Sequence, residues 1–236
     1  MPYLSKFVHS LSAGSVAVVA IAAPSAATDS VAETDRLRKA AEVLQALVST
    51  PDDAIPEHIL ARAEGIVVIP TLVKGGFVIG AEHGRGVMSV RQGPTGAWSL
   101  PSFVAMTGGS IGWQIGVQST DLVLLVMNTE GVTELLKSEF KLGADASVAA
   151  GPVGRSAQAA TDARMTARIL AYSRAKGLFA GISVQGSSVT EDQDANSAFY
   201  GRPQTSTEVF AKPVMPAPDA ATTWLTTLTT VARGSR

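Results

Sequence analysis

The 236-residue sequence contains no cysteine and only three histidines. The absence of cysteine excludes disulfides, zinc–thiolate sites and thiol nucleophiles. The sequence also has no Gly-x-Ser-x-Gly elbow, His-Glu-x-x-His helix or Walker-type phosphate loop. It therefore offers no recognised catalytic centre, and we expect a protein that is not an enzyme and that uses no cofactor or metal.

Charged residues are also few, at 17% of the chain, and they nearly cancel to a formal net charge of −1. Such a balance gives no overall field that would recruit nucleic acid, so we expect no nucleic-acid partner. Any binding of anions must come from a local patch. Hydrophobic residues make up 46% of the chain, which is ample for the buried core of one domain of this length.

The first 27 residues have the layout of a secretory signal peptide. Lys6 is the only Lys or Arg in the first 35 residues, an apolar run covers 11–23, and small residues at 25–27 precede a cleavage position after Ala27. The apolar run is short of the ~20 residues that span a bilayer. An uncleaved anchor helix or an Ala-rich leader is the alternative. We expect a periplasmic or secreted protein, peripheral to a membrane.

Two helices are predicted at the start of the mature chain. Apolar residues recur at helical spacing over 30–49, with a capping box formed by Ser30 and Glu33, and a second helix is expected from Pro56 to Gly65. From residue 65 the pattern changes to short strands between Gly/Pro turns. The predicted strands cover 65–70, 76–82, 86–92, 97–100, 103–107, 110–119 and 122–127.

The second half of the chain continues this mixed pattern. A short helix is predicted over 131–140, and two long strands over 163–173 and 177–189 face each other across a basic turn. An edge strand over 205–212 and a weak terminal helix over 219–233 follow. The predicted fold is α+β, a single domain in which N-terminal helices pack on a curled, barrel-like antiparallel β-sheet.

Three short patterns admit a site but favour a structural role. Glu82 and His83 are neighbours in a Gly-rich segment, where a weak metal or acid/base pair is the alternative to a solvated turn. Asp192–Asn196 begins like a calcium loop but lacks its glycine and its final acid, so turn capping is favoured. The glycines of Gly108–Gly116 alternate as in a packed strand rather than as in a phosphate loop.

Basic residues concentrate between 155 and 176, where five Lys or Arg accompany a single acid, Asp162. In a strand over 163–174, a period of two places three arginines and a tyrosine on one face, opposite small and apolar residues. Guanidinium groups suit phosphates because each offers a planar fork of donors. A solvated outer face, neutralised by acids of neighbouring strands, is the alternative. The candidate headgroup-binding residues here are Arg164, Arg168, Tyr172, Arg174 and Lys176.

The first helix carries a second set of candidates, Arg36, Arg38 and Lys39. An amphipathic helix with cations at its polar edge can lie at a membrane interface. Packing of its apolar face on the sheet is the alternative, since that face has no aromatic residue and acids dilute the basic charge.

A series of runs resembles the SYLF domain family in both order and number, from about Thr34 to Gly201. The runs are Gly65–Pro70, Lys74–Gly80, Gly84–Val87, Trp98–Phe103, Gly108–Gly112, Gln114–Val123, Met127–Asn128, Tyr172–Gly186 and Asp194–Gly201. We therefore expect a signal peptide over 1–27, a SYLF domain over 30–201 and a Pro/Thr/Ala-rich tail over 202–236.

This resemblance implies a non-enzymatic module that binds lipid, and that binds actin in eukaryotic members. It points to anionic, phosphoinositide-like headgroups at the cell envelope as the ligand. Family members carry a lipid-binding segment at the N-terminus of the domain, which corresponds here to the helix with Arg36, Arg38 and Lys39. The alternative is a structural or protein-interaction module of the envelope, with an envelope protein as its partner.

Overall fold

The chain folds around a long N-terminal helix, α1 (Ala26–Ser49), in the computed structural model. Its apolar face is buried, with Leu37, Leu44 and Leu47 in the core, and it packs against the first strand and the last helix. The helix begins before Ser30, so the predicted capping box is wrong. The structure describes residues 26–49, 54–93, 96–137, 139–153, 167–175, 178–179, 184–212 and 217–233.

Two long antiparallel strands form the centre of the sheet, β1 (Gly65–Gln92) and β3 (Ser102–Val126). A short strand, β2 (Ala97–Trp98), pairs with the end of β1. The sequence predicts breaks at the glycines inside β1 and β3, and these breaks are wrong. The strands run on through bulges, which lie between Ile69 and Leu72 and between Gly76 and Val78.

The first strand curls so far that it packs against itself. A Cβ at Gly86 would lie 2.2 Å from the carbonyl oxygen of Val68, and a Cβ at Gly84 would lie 2.6 Å from Cγ2 of Ile69. Only glycine permits such a close approach of one backbone segment to another. This crossing produces the curl of the sheet and confirms the predicted α+β fold with a curled, half-barrel sheet.

Five shorter strands complete the sheet: β4 (Glu139–Lys141), β5 (Val148–Ala150), β6 (Ile169–Ala175), β7 (Leu178–Phe179) and β8 (Ser188–Glu191). The antiparallel pairing of β6 with β7 confirms the predicted reversal of the chain, although β6 extends to Ala175, into the turn predicted over 174–177. In contrast to the prediction, β8 pairs with β3 and β4. The pair β5–β6 is parallel, so the sheet is mixed rather than purely antiparallel.

The described residues form five further helices: α2 (Glu57–Arg62), α3 (Thr129–Leu135), α4 (Gln193–Tyr200), α5 (Ser206–Phe210) and α6 (Asp219–Arg233). The edge strand predicted over 205–212 is wrong, because Thr205 and Glu208 form a capping box that starts α5. The helix α6 packs on α1 and inserts Trp224 into the core, where its indole N–H donates to Ser89 Oγ at 2.9 Å. Among the described residues, no helix is long and apolar enough to cross a membrane.

Candidate functional site

The tyrosine of the predicted arginine face on β6 is not exposed. Tyr172 is only 2% exposed, and its neighbours from Ile169 to Ser173 are buried too. The Tyr172 ring lies over Gly151, whose added Cβ would meet ring atoms at 2.0 to 2.5 Å. Tyr172 is therefore a core residue, and its placement on an exposed basic face is wrong.

The arginines of this segment lie apart. Arg168 precedes the strand, where its backbone N–H donates to Ser147 Oγ at 3.1 Å, while Arg174 lies near the other end, opposite Asp121. Six residues of extended chain separate them by roughly 20 Å. Burial raises the pKa of the Asp121 carboxyl, while the charge of Arg174 acts in the opposite direction. Arg164 and Lys176 lie outside the described residues, so their predicted role stays a prediction.

On α1, Arg38 and Lys39 are exposed and engage acids of the same helix. Arg38 contacts Asp35 and Glu42, each at 2.5 Å, and Lys39 Nζ lies 2.7 Å from Asp35. Hydrogen bonds from Lys39 and Arg38 lower the pKa of Asp35. These solvent-exposed pairs hold the cations weakly, because water competes with each of them.

Arg36 instead forms a buried clamp between α1 and α4. Its guanidinium lies 3.0 Å from Asp192 Oδ2 and 3.1 Å from Glu33 Oε1, and its Cζ lies 5.3 Å from the centroid of the Phe103 ring. The side chain is only 10% exposed. Arg36 therefore holds the fold together and is not free to bind a headgroup as predicted.

Two shallow depressions share Arg85 in their lining, while Arg36 lines the first and Asp192 lines the second. The first, of about 230 Å³, is lined by residues of α1 and β1. The second, of about 360 Å³, is lined by residues of β1 and β3 and of the segment that leads into α4. The first is lined by Ala32, Asp35, Arg36, Lys39, Pro70, Thr71 and Arg85. The second is lined by His83, Arg85, Ala105, Glu191, Asp192, Gln193 and Asp194.

The position of Arg85 follows from the self-crossing of β1. Gly84 and Gly86 approach the backbone of the 68–72 segment, and Arg85 is exposed. Within the described part of the chain its guanidinium makes no hydrogen bond or ion pair. Sequence reasoning missed Arg85 as a site residue, although the Gly-Arg-Gly pattern, an arginine between two tightly packed glycines, was the available signal.

The neighbouring acid, Glu82, faces the interior. It is buried, lies 2.5 Å from Lys74 Nζ and accepts a hydrogen bond from the Ser187 hydroxyl. His83 is exposed, as successive strand residues point to opposite faces. The two side chains thus form no acid/base pair. His83 is exposed to solvent, as the favoured interpretation predicts, but it lies on a strand and not in a turn.

Asp192 caps the start of α4, in keeping with the favoured capping role, whereas Asn196 lies inside the helix and ties it to β3 instead of capping a turn. Asp192 accepts a hydrogen bond from the backbone of Ala195 at 3.2 Å. Asn196 is fully buried and accepts a hydrogen bond from the backbone of Phe103 at 2.9 Å. Over the ranges that the structure describes, no group of acids and histidines has the geometry to hold a metal ion.

Comparison with known proteins finds similar sequences in one family. A family model described as Ysc84, Las17-binding protein actin regulator, matches residues 107–231. Protein YSC84 of Saccharomyces cerevisiae is 41% identical over 193 residues, which cover 78% of this chain and 40% of the yeast protein. LAS seventeen-binding protein 3 of the same yeast is 40% identical over 191 residues, with coverage of 77% and 41%.

A vertebrate relative shows the same likeness. SH3 domain-containing YSC84-like protein 1 of Homo sapiens is 34% identical over 169 residues, which cover 69% of this chain and 49% of the human protein. The chain thus spans half or less of the length of these relatives, while the family model covers more than half of the chain. Together with the ordered SYLF runs, this match shows that the chain belongs to the Ysc84 family of SYLF-domain proteins.

Proposed function

We propose that this chain is a non-enzymatic module that binds the phosphate headgroups of anionic lipids at a membrane surface. The observation that supports the proposal is the position of Arg85, an exposed guanidinium without an ion pair in the described part of the chain, at the junction of two open depressions. A guanidinium binds phosphate through a planar fork of donors. The leader-like first 27 residues favour the cell envelope as the location.

Lys39 supplies the second cation of this site. It lines the same depression as Arg85, and its ion pair with Asp35 is exposed. An exposed ion pair contributes little free energy, so Lys39 can exchange the carboxylate for a phosphate at small cost. Arg36, although it lines the depression, stays with Asp192 and Glu33 and fixes the spacing between α1 and the sheet.

Co-sedimentation with lipid vesicles tests the proposal. The chain should sediment with phosphatidylglycerol vesicles more than with phosphatidylcholine vesicles, and binding should fall as salt rises, because salt screens exposed charges. Substitution of Arg85 by glutamate should abolish the preference. The double variant Arg164→Glu/Arg168→Glu is the comparison. If it loses the preference for phosphatidylglycerol vesicles while Arg85→Glu keeps that preference, the binding surface is the basic segment first predicted from the sequence.

A second candidate function rests on the relatives. The family model is described as a Las17-binding actin regulator, and a yeast relative is named LAS seventeen-binding protein 3. We propose protein interaction of that kind as the alternative. Purified actin filaments and purified Las17 serve as the probes in the same sedimentation and pull-down format. Retention of the chain on either protein, without any preference for anionic vesicles, favours this second function.

A further inference from the structure

We infer that the Arg85 cleft selects headgroups that carry a single phosphate and rejects those that carry additional phosphates. This inference rests on the proposed headgroup binding. It follows from the opposite charge of the two depressions that meet at Arg85.

The first depression is the one that favours an anion. Its charged lining consists of Arg85, Lys39 and the internally paired Arg36 against one acid, Asp35. A phosphate that contacts Arg85 and Lys39 lies in this half. Arg85 also lines the second depression, so a headgroup whose phosphate contacts Arg85 borders that second half of the cleft.

The second depression is acidic. Glu191, Asp192 and Asp194 line it, and its basic side chains are Arg85 itself and His83. Asp192 is neutralised by Arg36, and Glu191 accepts hydrogen bonds from Ser206 N–H and from Asn196 Nδ2. Both acids are therefore held in place by the fold.

Asp194 is the acid that is free to act on a ligand. It is exposed, in the first turn of α4. A phosphate monoester carries a charge of about −1.5 to −2 at neutral pH, and like charges within a few ångströms repel each other. A second phosphate on the headgroup would enter this half of the cleft and meet the carboxylates, whereas a hydroxyl or an ammonium group is accepted there.

The test compares two lipids on vesicles of matched total surface charge. One carries phosphatidylglycerol, with a single phosphodiester, and the other carries a phosphatidylinositol bisphosphate. Wild-type chain should bind the phosphatidylglycerol vesicles several-fold more tightly. Asp194→Asn should reduce that ratio by about threefold or more, because it removes one repulsive charge beside the ligand.

Asp219→Asn is the matched control. Asp219 is also exposed and also lies in the first turn of a helix, α6, but it lines neither depression. The control variant should leave the ratio unchanged. Tighter binding of the bisphosphate by wild-type chain, or an equal change of the ratio in both variants, overturns the inference while headgroup binding itself stands.

Binding of soluble headgroups distinguishes selectivity of the cleft from an effect of membrane charge. Deacylated phosphatidylglycerol and deacylated inositol bisphosphate lipid should bind in the same order in calorimetry as on vesicles. An order found only on vesicles overturns the inference, because membrane charge would then set the selectivity. Absence of binding to every one of these probes, with Arg85→Glu equal to wild type, removes the proposed function as well.

Discussion

Arg36 on α1 and Asp192, the residue that caps α4, form an ion pair of 3.0 Å across 156 positions of sequence. The pair joins the first helix to the C-terminal part of the domain, and its two residues line different depressions, Arg36 the basic one and Asp192 the acidic one. The geometry of the cleft around Arg85 therefore depends on a contact between two distant segments of the chain.

Loss of the Arg36 guanidinium should destabilise the fold strongly. Arg36→Met removes the counter-charge of Asp192 and one of the partners of Glu33, and breaking a buried pair in this way costs about 3–5 kcal/mol. Urea unfolding followed by circular dichroism measures the change. Adding Asp192→Asn to Arg36→Met should recover part of the loss, since coupled neighbours are not additive.

Arg38→Met is the matched control for this prediction. Arg38 lies two positions along the same helix and also contacts two carboxylates, but it is exposed. Its substitution should leave the free energy of unfolding unchanged within the error of the measurement. A loss as large as that of Arg36→Met would contradict the distinction between the buried clamp and the surface pairs.

Gly86→Ala should disrupt the crossing of β1 over itself. The added Cβ would lie 2.2 Å from the backbone oxygen of Val68, a clash that only backbone movement relieves, so we expect a loss of about 2–3 kcal/mol or more. Thermal and urea unfolding of the variant give the value. Gly109→Ala, in the same ladder, would meet only the Gly80 carbonyl oxygen at 3.9 Å and should be nearly neutral.

Tyr172 and Tyr200 should respond oppositely to removal of the hydroxyl. Tyr172 Oη is buried and finds no hydrogen-bond partner within the described ranges, so Tyr172→Phe removes an unsatisfied polar group and should maintain or raise the free energy of unfolding at neutral pH. Tyr200 donates to the carbonyl of Pro101 at 2.5 Å, so Tyr200→Phe should cost about 1 kcal/mol. Equal losses in both variants would contradict the assigned contacts.

Alkaline pH should destabilise the protein through the same two residues. Burial raises the pKa of Tyr172 and of Tyr200 above the ordinary tyrosine value, so the folded state retains protons that the unfolded chain has lost. Their contribution to stability is complete below the unfolded pKa of ~10 and declines as pH rises beyond it. Urea unfolding over this alkaline range should show the decline, and Tyr172→Phe should make it shallower.

Local patterns predicted α1 well because its apolar residues recur at helical spacing whatever they pack against. The breaks predicted in β1 are wrong for a physical reason, since the strand is continuous there. Gly84 and Gly86 lie where the strand meets its own earlier segment near Val68, and a local pattern does not distinguish a glycine needed for a turn from one needed for close approach.

The prediction of an exposed basic face was wrong at Tyr172. Alternation along a strand indicates which residues share a face, but it does not indicate whether other parts of the protein cover that face. The run from Ile169 to Tyr172 is almost continuously apolar, which is typical of a strand buried on both faces. The cleft itself could not be predicted, because Arg85 and Lys39 come together only through the packing of α1 on β1 and the clamp from Arg36 to Asp192.

Charge reversal at Arg85 tests the central claim most directly. Vesicle co-sedimentation should compare wild type with Arg85→Glu and with Arg62→Glu, a matched reversal at an exposed arginine of α2 that lines neither depression. We expect Arg85→Glu to lose the preference for phosphatidylglycerol vesicles and Arg62→Glu to retain it, with both variants folded by circular dichroism. Equal binding by the two variants would contradict the claim.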